Sequence, residues 1–212
     1  MKDSLTQNDV LAAIAQIARS LMANAEQLRE LDAAIGDGDL GITMTVGFQA
    51  VLDELPSLEG QDIANIIMKS GMAFNRKAAS TFGALFATMM MRAARAVRGA
   101  QAIDLPILAA MAQAAVDGVR ERGKSDVGDK TMLDALVPAA LELAKAAAEE
   151  VPLAEGVRRA VVAAEEGMRA TIGMKSRVGR ASWFAERTQG VQDPGATAIY
   201  LMLKAFHESV AA

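Results

Sequence analysis

The chain has 212 residues and a formal net charge of −4, so it can bury a sizeable core and is unsuited to nucleic acid as its main partner. It contains no cysteine, which excludes disulfides, thiolate metal sites and a cysteine nucleophile. The N-terminus has no signal pattern and no long apolar run follows, so we expect one soluble, cytoplasmic domain over residues 1–212, with no membrane contact.

The composition, rich in alanine and methionine and poor in aromatics, favours helices. Apolar periodicity predicts eight amphipathic helices and no strand, that is, an all-α antiparallel up-and-down bundle. Their predicted ranges are Thr6 or Asn8 to Glu30, Thr43 to Leu55, Gln61 to Asn75, Gly83 to Val97, Asp104 to Arg122, Thr131 to Glu150, Leu153 to Ile172 and Asp193 to Val210. The stripe predicted to face inward on the third helix is Ile63, Ile66, Ile67 and Met72.

An acidic, glycine-rich stretch follows the first predicted helix. Asp32, Asp37 and Asp39 lie within eight positions and are interleaved with glycines and flanked by apolar residues. Carboxylates this close repel one another unless a cation neutralises them. Glycines also allow close approach of a phosphate, and the next helix would direct its N-terminal N–H groups to the same place. The pattern indicates a site for a magnesium nucleotide.

A turn without function and an EF-hand calcium loop are the two other interpretations of this stretch. Aspartate and glycine are ordinary turn formers, so a turn without function would have the same composition. An EF-hand is excluded, because the twelfth position from Asp37 is Phe48 instead of glutamate and the sixth is Ile42 instead of glycine.

Four loops rich in glycine and charge, 31–42, 76–82, 123–130 and 174–192, connect odd-numbered to even-numbered predicted helices. In an antiparallel bundle such loops gather at one end. In the second loop Ser80 and Thr81 suit a helix cap or a phosphate contact. The third loop offers Lys124 and Lys130 as candidate phosphate cations.

The fourth loop carries Lys175, Arg177, Arg180 and Arg187, and its Trp183 and Phe184 indicate an ordered lid or wall. Opposed acidic and basic loops suit phosphoryl transfer with a metal ion. No Walker motif occurs, and the single histidine, His207, is expected to be structural.

Residues 31–41, 122–132 and 179–197 together resemble, in order, the motifs of the nucleotide-binding L subunit of dihydroxyacetone kinases, the DAK2-domain family. The resemblance implies an eight-helix barrel in which Asp32, Asp37 and Asp39 bind two Mg²⁺ ions that hold ADP or ATP. It also implies nucleotide contacts from Leu40, Gly41, Ile42, Thr43, Thr81, Phe82, Gly123, Met132, Arg180, Asp193, Pro194 and Gly195.

In such systems the L subunit docks on a K subunit that holds the ketose, and stand-alone members keep ADP that a phosphohistidine M subunit of the phosphotransferase system recharges. A homodimer is a further candidate assembly. This chain departs from the family where Phe82 replaces a small hydroxyl residue, so Ser80 or Thr81 would supply that phosphate contact. Leu40 stands where some members have histidine or threonine.

These features predict a kinase subunit that transfers phosphoryl from nucleotide to dihydroxyacetone or a related ketose. Asp32, Asp37, Asp39 and Arg180 are the predicted catalytic residues. Two alternatives remain: a self-contained kinase or phosphatase, and a non-catalytic helical scaffold or regulator.

Overall fold

The computed structural model describes residues 3–211, apart from the side chains of Arg180 and Phe184. The regular elements of this part of the chain are all helices. It contains no strand and has one antiparallel bridge, between Leu5 and Ile103. The α-helices are α1 (Gln7–Ala23), α2 (Ala25–Ile35), α3 (Leu40–Glu54), α4 (Ile63–Lys77), α5 (Thr81–Ala96), α6 (Leu105–Gly123), α7 (Leu133–Ala148), α8 (Leu153–Ala170), α9 (Ala185–Thr188) and α10 (Pro194–Ala211). Short 3₁₀ turns cover Leu55–Leu58, Thr171–Gly173 and Arg180–Phe184.

Side-chain caps fix where several helices begin. Thr6 and Asp9 form a reciprocal capping box at α1. Asp62, Ser80 and Asp104 each accept a hydrogen bond from the backbone N–H three residues on, at the starts of α4, α5 and α6. Two predicted helix ranges begin at Thr6 and Asp104, and Ser80 is a predicted cap. All three residues therefore cap their helices as the sequence indicates.

The first predicted helix is two helices. The Asn24 side chain donates its own hydrogen bond to the Ser20 carbonyl, at 2.7 Å, beside the backbone bond to the same oxygen. An asparagine that binds the preceding turn in this way competes with the helical ladder. The helix therefore ends at Asn24, and α2 begins at Ala25 and leads to the acidic stretch.

The long helices close into a ring. In the order α1, α3, α4, α5, α6, α7, α8 and α10, each helix packs on the next, and α10 packs back on α1. The expected eight-helix barrel is thus confirmed, with α2 and the one-turn α9 as additions beside the ring. None of the described helices is long and apolar enough to cross a membrane.

Aromatic side chains fill one side of the ring. Phe48 packs edge-to-face on Phe74 and Phe86, with ring centroids 4.9 and 5.5 Å away. Gly47 admits the Phe74 ring, which would lie 2.5 Å from a Cβ at that position. The inward orientation predicted for Met72 is wrong, since 51% of its surface is exposed. The inward stripe of α4 continues through Ser70, Gly71 and Phe74 instead.

Candidate functional site

The three acidic side chains converge at the turn between α2 and α3. The turn, residues 36–39, depends on Gly38, whose φ of 75° favours glycine. The Asp32 carboxylate accepts a hydrogen bond from the Leu40 N–H at 3.1 Å, which ties the end of α2 to the start of α3. One carboxylate oxygen from each of Asp32, Asp37 and Asp39 lies within 4.8 Å of the other two. We call these three residues the acidic cluster.

The acidic cluster suits a hard divalent cation. Two oxygens bound to one Mg²⁺ at about 2.0–2.1 Å lie at most about 4.2 Å apart. The spacing in the acidic cluster, up to 4.8 Å, therefore needs only a small movement of exposed side chains to reach that geometry. Asp37 and Asp39 are exposed and Asp32 is half-buried, so the ligand atoms face solvent.

The helix that follows the acidic cluster adds backbone donors. The N–H groups of Gly41 and Ile42, in the first turn of α3, have no acceptor inside the helix. Gly41 also lets α3 cross α2 closely, because a Cβ there would meet the Arg29 side chain at 2.7 Å and the Ala25 carbonyl. Thr43, the next residue along α3, is buried and packs the start of the helix against the core.

The second loop forms the N-terminus of α5. The Ser80 Oγ accepts the Gly83 N–H at 3.0 Å, which leaves Thr81 exposed in the first turn. The Phe82 ring lies parallel to Phe86 and tilted on Phe74, with both centroid distances at 6.3 Å. The residue that departs from the family pattern is therefore part of the aromatic packing of the barrel.

The third loop is organised around Asp134, a buried residue that the sequence analysis missed. Its carboxylate accepts hydrogen bonds from the N–H groups of Gly128 at 2.6 Å and Thr131 at 2.7 Å. The sequence signal for a buried Asp134 was its position as the one acid in the apolar run 132–141. Gly123, at the other end of the loop, lies against Leu85 of α5.

Lys130 has a role other than the predicted one. It is buried, and its ammonium donates hydrogen bonds to the backbone carbonyls of Met174, Thr188 and Val191 in the fourth loop. It is therefore a tie between loops rather than a phosphate cation. Lys124 is exposed at the C-terminal end of α6, in a left-handed conformation with φ 49°.

Hydrogen bonds inside the fourth loop hold its two ends together. Thr188 is buried, and its hydroxyl accepts the Ser176 N–H at 2.9 Å and donates to the Ala185 carbonyl at 2.6 Å. Trp183 is 78% exposed at the outer part of the loop. A cavity of about 370 Å³ separates Trp183 and Arg187 from Ala33–Asp37, which brings the fourth loop beside the acidic cluster.

Asp193 joins the fourth loop to α10. Its carboxylate accepts the Ala196 N–H at 2.7 Å and caps the helix, at the residue where the last predicted helix range begins. Burial raises the pKa of the Asp193 carboxyl to about 7, and the nearby Asp134 charge adds to the rise. Gly195 lies beside Met132, whose backbone nitrogen would be 3.4 Å from a Cβ at that position.

The structure therefore brings the first, third and fourth loops together. Leu85 of α5, three residues after the second loop, lies against Gly123 of the third. The His207 side chain is half-buried in α10. The side chain of Arg180, the predicted phosphate cation, lies outside the described part of the chain.

Comparison with known proteins identifies the family. The DAK2 domain family matches residues 34–208. The chain is 35% identical to the ADP-binding subunit of the PEP-dependent dihydroxyacetone kinase of Escherichia coli strain K12, over 95% of this chain and 96% of that subunit. This chain belongs to the DAK2 domain family. The matched range begins just after Asp32.

Other DAK2 proteins contain the matching region within a longer chain. D-Erythrulose kinase of Mycolicibacterium smegmatis is 32% identical over 95% of this chain, which spans 35% of that protein. The crystal structure of the dihydroxyacetone kinase of C. freundii matches 99% of this chain with a TM-score of 0.75 and 23% identity. This chain spans 36% of that one, and the likeness shows a shared fold. The same kinase has been solved with AMP-PNP and Mg²⁺.

Proposed function

We propose that this DAK2 chain is the nucleotide-binding subunit of a dihydroxyacetone kinase. In this proposal it binds the magnesium complex of ADP or ATP and transfers phosphoryl to dihydroxyacetone or a related ketose held by a separate K subunit. The observation that carries the proposal is the acidic cluster, in a chain that spans 96% of a relative named as an ADP-binding subunit.

In the proposed site Asp32, Asp37 and Asp39 are the metal ligands, and we infer two ions. Bound Mg²⁺ would neutralise phosphate charge and orient the transferred group. The three carboxylates supply the negative charge and the oxygen ligands that this ion prefers. The hydrogen bond from the Leu40 N–H orients Asp32, so the half-buried ligand is held ready before metal arrives.

Backbone and hydroxyl donors would hold the phosphates. The first-turn N–H groups of Gly41 and Ile42 and the exposed Thr81 hydroxyl are suited to anionic oxygens. Leu40 and Thr43 are buried and flank Gly41 and Ile42, so they complete the segment 40–43 that would contact the nucleotide. Ser80 supports the contact from Thr81 by capping α5. Arg180 is the proposed cation for the charge that develops during transfer.

The base and sugar would lie between the third and fourth loops. This region is bordered by Gly123, Met132 and the segment 193–195. Phe82 lies in the first turn of α5, with its ring against Phe86. Met132 is buried, and Asp193 accepts the Ala196 N–H with its carboxylate, so Asp193 would contribute through its backbone and its position. Pro194 is buried and Gly195 is half-buried, so this end of the segment presents no long side chain to a ligand.

The phosphoryl source is inferred from whether the relatives are separate subunits or longer chains. This chain spans nearly all of a separate subunit named PEP-dependent and about a third of the D-erythrulose kinase. We infer that the chain acts with a K subunit, and that a phosphohistidine M subunit recharges bound ADP. A homodimer of this chain is not required for the proposed site.

The first experiment is to purify the chain without added nucleotide, denature it and chromatograph what is released. About one ADP per chain would support a permanently held cofactor. If none is released, the chain is titrated with Mg²⁺-ATP while Trp183 fluorescence is followed. Saturable binding would support an exchanging, ATP-driven subunit.

Two outcomes would contradict the proposal. Absence of nucleotide in both experiments would favour a helical scaffold. Turnover of a ketose or phosphoester by the purified chain without any partner would favour a self-contained kinase or phosphatase.

A further inference from the structure

Lys130 is buried to an extent that is rare for lysine, with 3% of its surface exposed. Its ammonium donates to the carbonyl oxygens of Met174 at 3.1 Å and Val191 at 2.6 Å, and also to that of Thr188. A lysine ammonium has three donors, so all of them are used. The lysine backbone is itself held at a φ of 62°, which non-glycine residues seldom adopt.

The three carbonyls lie at the two ends of the fourth loop. Met174 is at its beginning, and Thr188 and Val191 are close to its end. One backbone hydrogen bond, from Gly190 N–H to the Ile172 carbonyl at 2.8 Å, also joins these ends. The ammonium of Lys130 thus closes the base of the loop from the side of the third loop.

The outer part of the fourth loop has weaker connections to the rest of the molecule. Lys175 pairs with Glu186 at 2.7 Å inside the loop itself, and both side chains are largely exposed. Near the beginning of the loop, the Arg177 N–H donates to the Asp129 carbonyl at 3.2 Å, and the Arg177 guanidinium lies 3.9 Å from the Asp129 carboxylate. Exposed ion pairs of this kind contribute little free energy. Lys130 therefore joins both ends of the fourth loop to the third loop, whereas Arg177 joins the beginning of the fourth loop to it.

Burying the ammonium has a free-energy cost that apolar packing would avoid. Burial lowers the pKa of Lys130, and the neighbouring Asp193 carboxyl opposes this fall. Asp134 is also close to Asp193, so two acids and one ammonium share this buried region. The directional bonds to three carbonyls are what an apolar side chain could not provide.

We propose that Lys130 is a positioning residue that holds the fourth loop over the nucleotide and thereby slows nucleotide release. The proposal rests on the proposed function, since it concerns the same site. Lys130 itself does not touch the nucleotide. It acts through the fourth loop, which carries Arg180, and through Met132, two residues along the chain.

The test uses the full chain with Lys130→Met, which keeps the apolar stem and removes the ammonium. Trp183 is the single tryptophan of the chain, so its fluorescence anisotropy reports on the fourth loop alone. We expect lower anisotropy in the variant without any nucleotide, with helical content unchanged by circular dichroism. Release of ADP in the presence of Mg²⁺ should be faster by roughly 10- to 100-fold, as expected for loss of hydrogen bonds to a charged group.

The control is Lys145→Met, which removes the same charge from an exposed position on α7. It should leave both Trp183 anisotropy and ADP release unchanged. If Lys130→Met does not fold, Lys130→Gln keeps two donors and should give smaller changes in the same direction.

A lower melting temperature with unchanged anisotropy and ADP release would overturn the proposal and leave Lys130 as a structural brace. Failure of the wild-type chain to bind nucleotide would instead overturn the proposed function. The anisotropy measurement would still decide whether Lys130 positions the loop.

Discussion

Individual residues of the acidic cluster differ in their surroundings. Asp32 is half-buried and accepts the Leu40 N–H, whereas Asp37 and Asp39 are exposed beyond Gly36 and Gly38. The Asp32 carboxylate would both bind metal and hold the turn through its hydrogen bond with Leu40, so a change at Asp32 would also loosen the turn. Asp37 is exposed and takes no part in the hydrogen bond with Leu40, so changing it tests metal binding without breaking that bond.

We expect Asp37→Asn to weaken Mg²⁺-dependent ADP binding by more than about tenfold, because a neutral amide is a poorer ligand for Mg²⁺ than a carboxylate. Isothermal titration with and without Mg²⁺ measures this, and circular dichroism should show the same helical content. Asp117→Asn, an exposed change on α6, is the matched control. Unchanged ADP affinity in Asp37→Asn would refute the metal assignment.

Asp193 links pH to stability. Its pKa is raised from an ordinary 3.8 to about 7, mainly by burial. Between these values the folded chain keeps a proton that the unfolded chain releases. The contribution of Asp193 to stability is therefore complete below about pH 4 and is lost as the pH rises to about 7.

Asp193→Asn should remove this dependence, because an amide does not titrate and can still accept the Ala196 N–H. Relative to wild type, the variant should gain up to about 4 kcal/mol in free energy of unfolding as the pH rises through this range. Urea denaturation of both proteins at several pH values measures the difference. Parallel stability curves would show that Asp193 has an ordinary pKa.

At the scale of elements, α7 and α8 approach closely at a proline. Pro138 lies inside α7 and has no N–H for the Asp134 carbonyl four residues earlier. Gly167 of α8 lies against that carbonyl, and a Cβ at this position would overlap it and approach the Pro138 Cγ at 3.2 Å. Because the Asp134 side chain organises the third loop, this contact also fixes the loop relative to α8.

Gly167→Ala should therefore lower the free energy of unfolding by about 1–3 kcal/mol, although alanine is the better helix former. Chemical denaturation measures the loss. Gly173→Ala is the control, since no atom lies within 4 Å of a Cβ there. Equal stability of the two variants would mean that α8 can move away from α7 at little cost.

At the scale of the whole molecule, the closed ring of helices encloses an apolar cavity of about 210 Å³. Helices α1, α3 to α8 and α10 all contribute to its walls. Ser70 of α4 is in this wall, and its Oγ is buried without a hydrogen-bond partner among the described residues. A buried hydroxyl without a partner lowers stability.

Ser70→Ala is expected to raise the free energy of unfolding by about 1 kcal/mol, because it removes that hydroxyl. Thermal and urea denaturation of the purified chain measure the change. Ser80→Ala removes a cap hydroxyl and should lower stability by about the same amount. Destabilisation by Ser70→Ala would indicate that a bound molecule in the cavity uses the hydroxyl.

The sequence alone determined most helices, their caps and the acidic cluster, because these depend on local patterns. Apolar spacing, the caps at Thr6, Ser80 and Asp104, and three acids separated by glycines all lie within a few positions of one another. The resemblance of three ordered motifs to the DAK2 family was confirmed by the match over residues 34–208.

The tertiary structure decided what depends on distant partners. The break at Asn24, the exposure of Met72 and the packing of Phe82 follow from neighbours that no local pattern specifies. Lys130 is the clearest case, because its carbonyl partners lie 44 to 61 positions away. A lysine in a polar loop suggests a solvated charge or a phosphate contact, and only the packing of the fourth loop turns it into a buried tie.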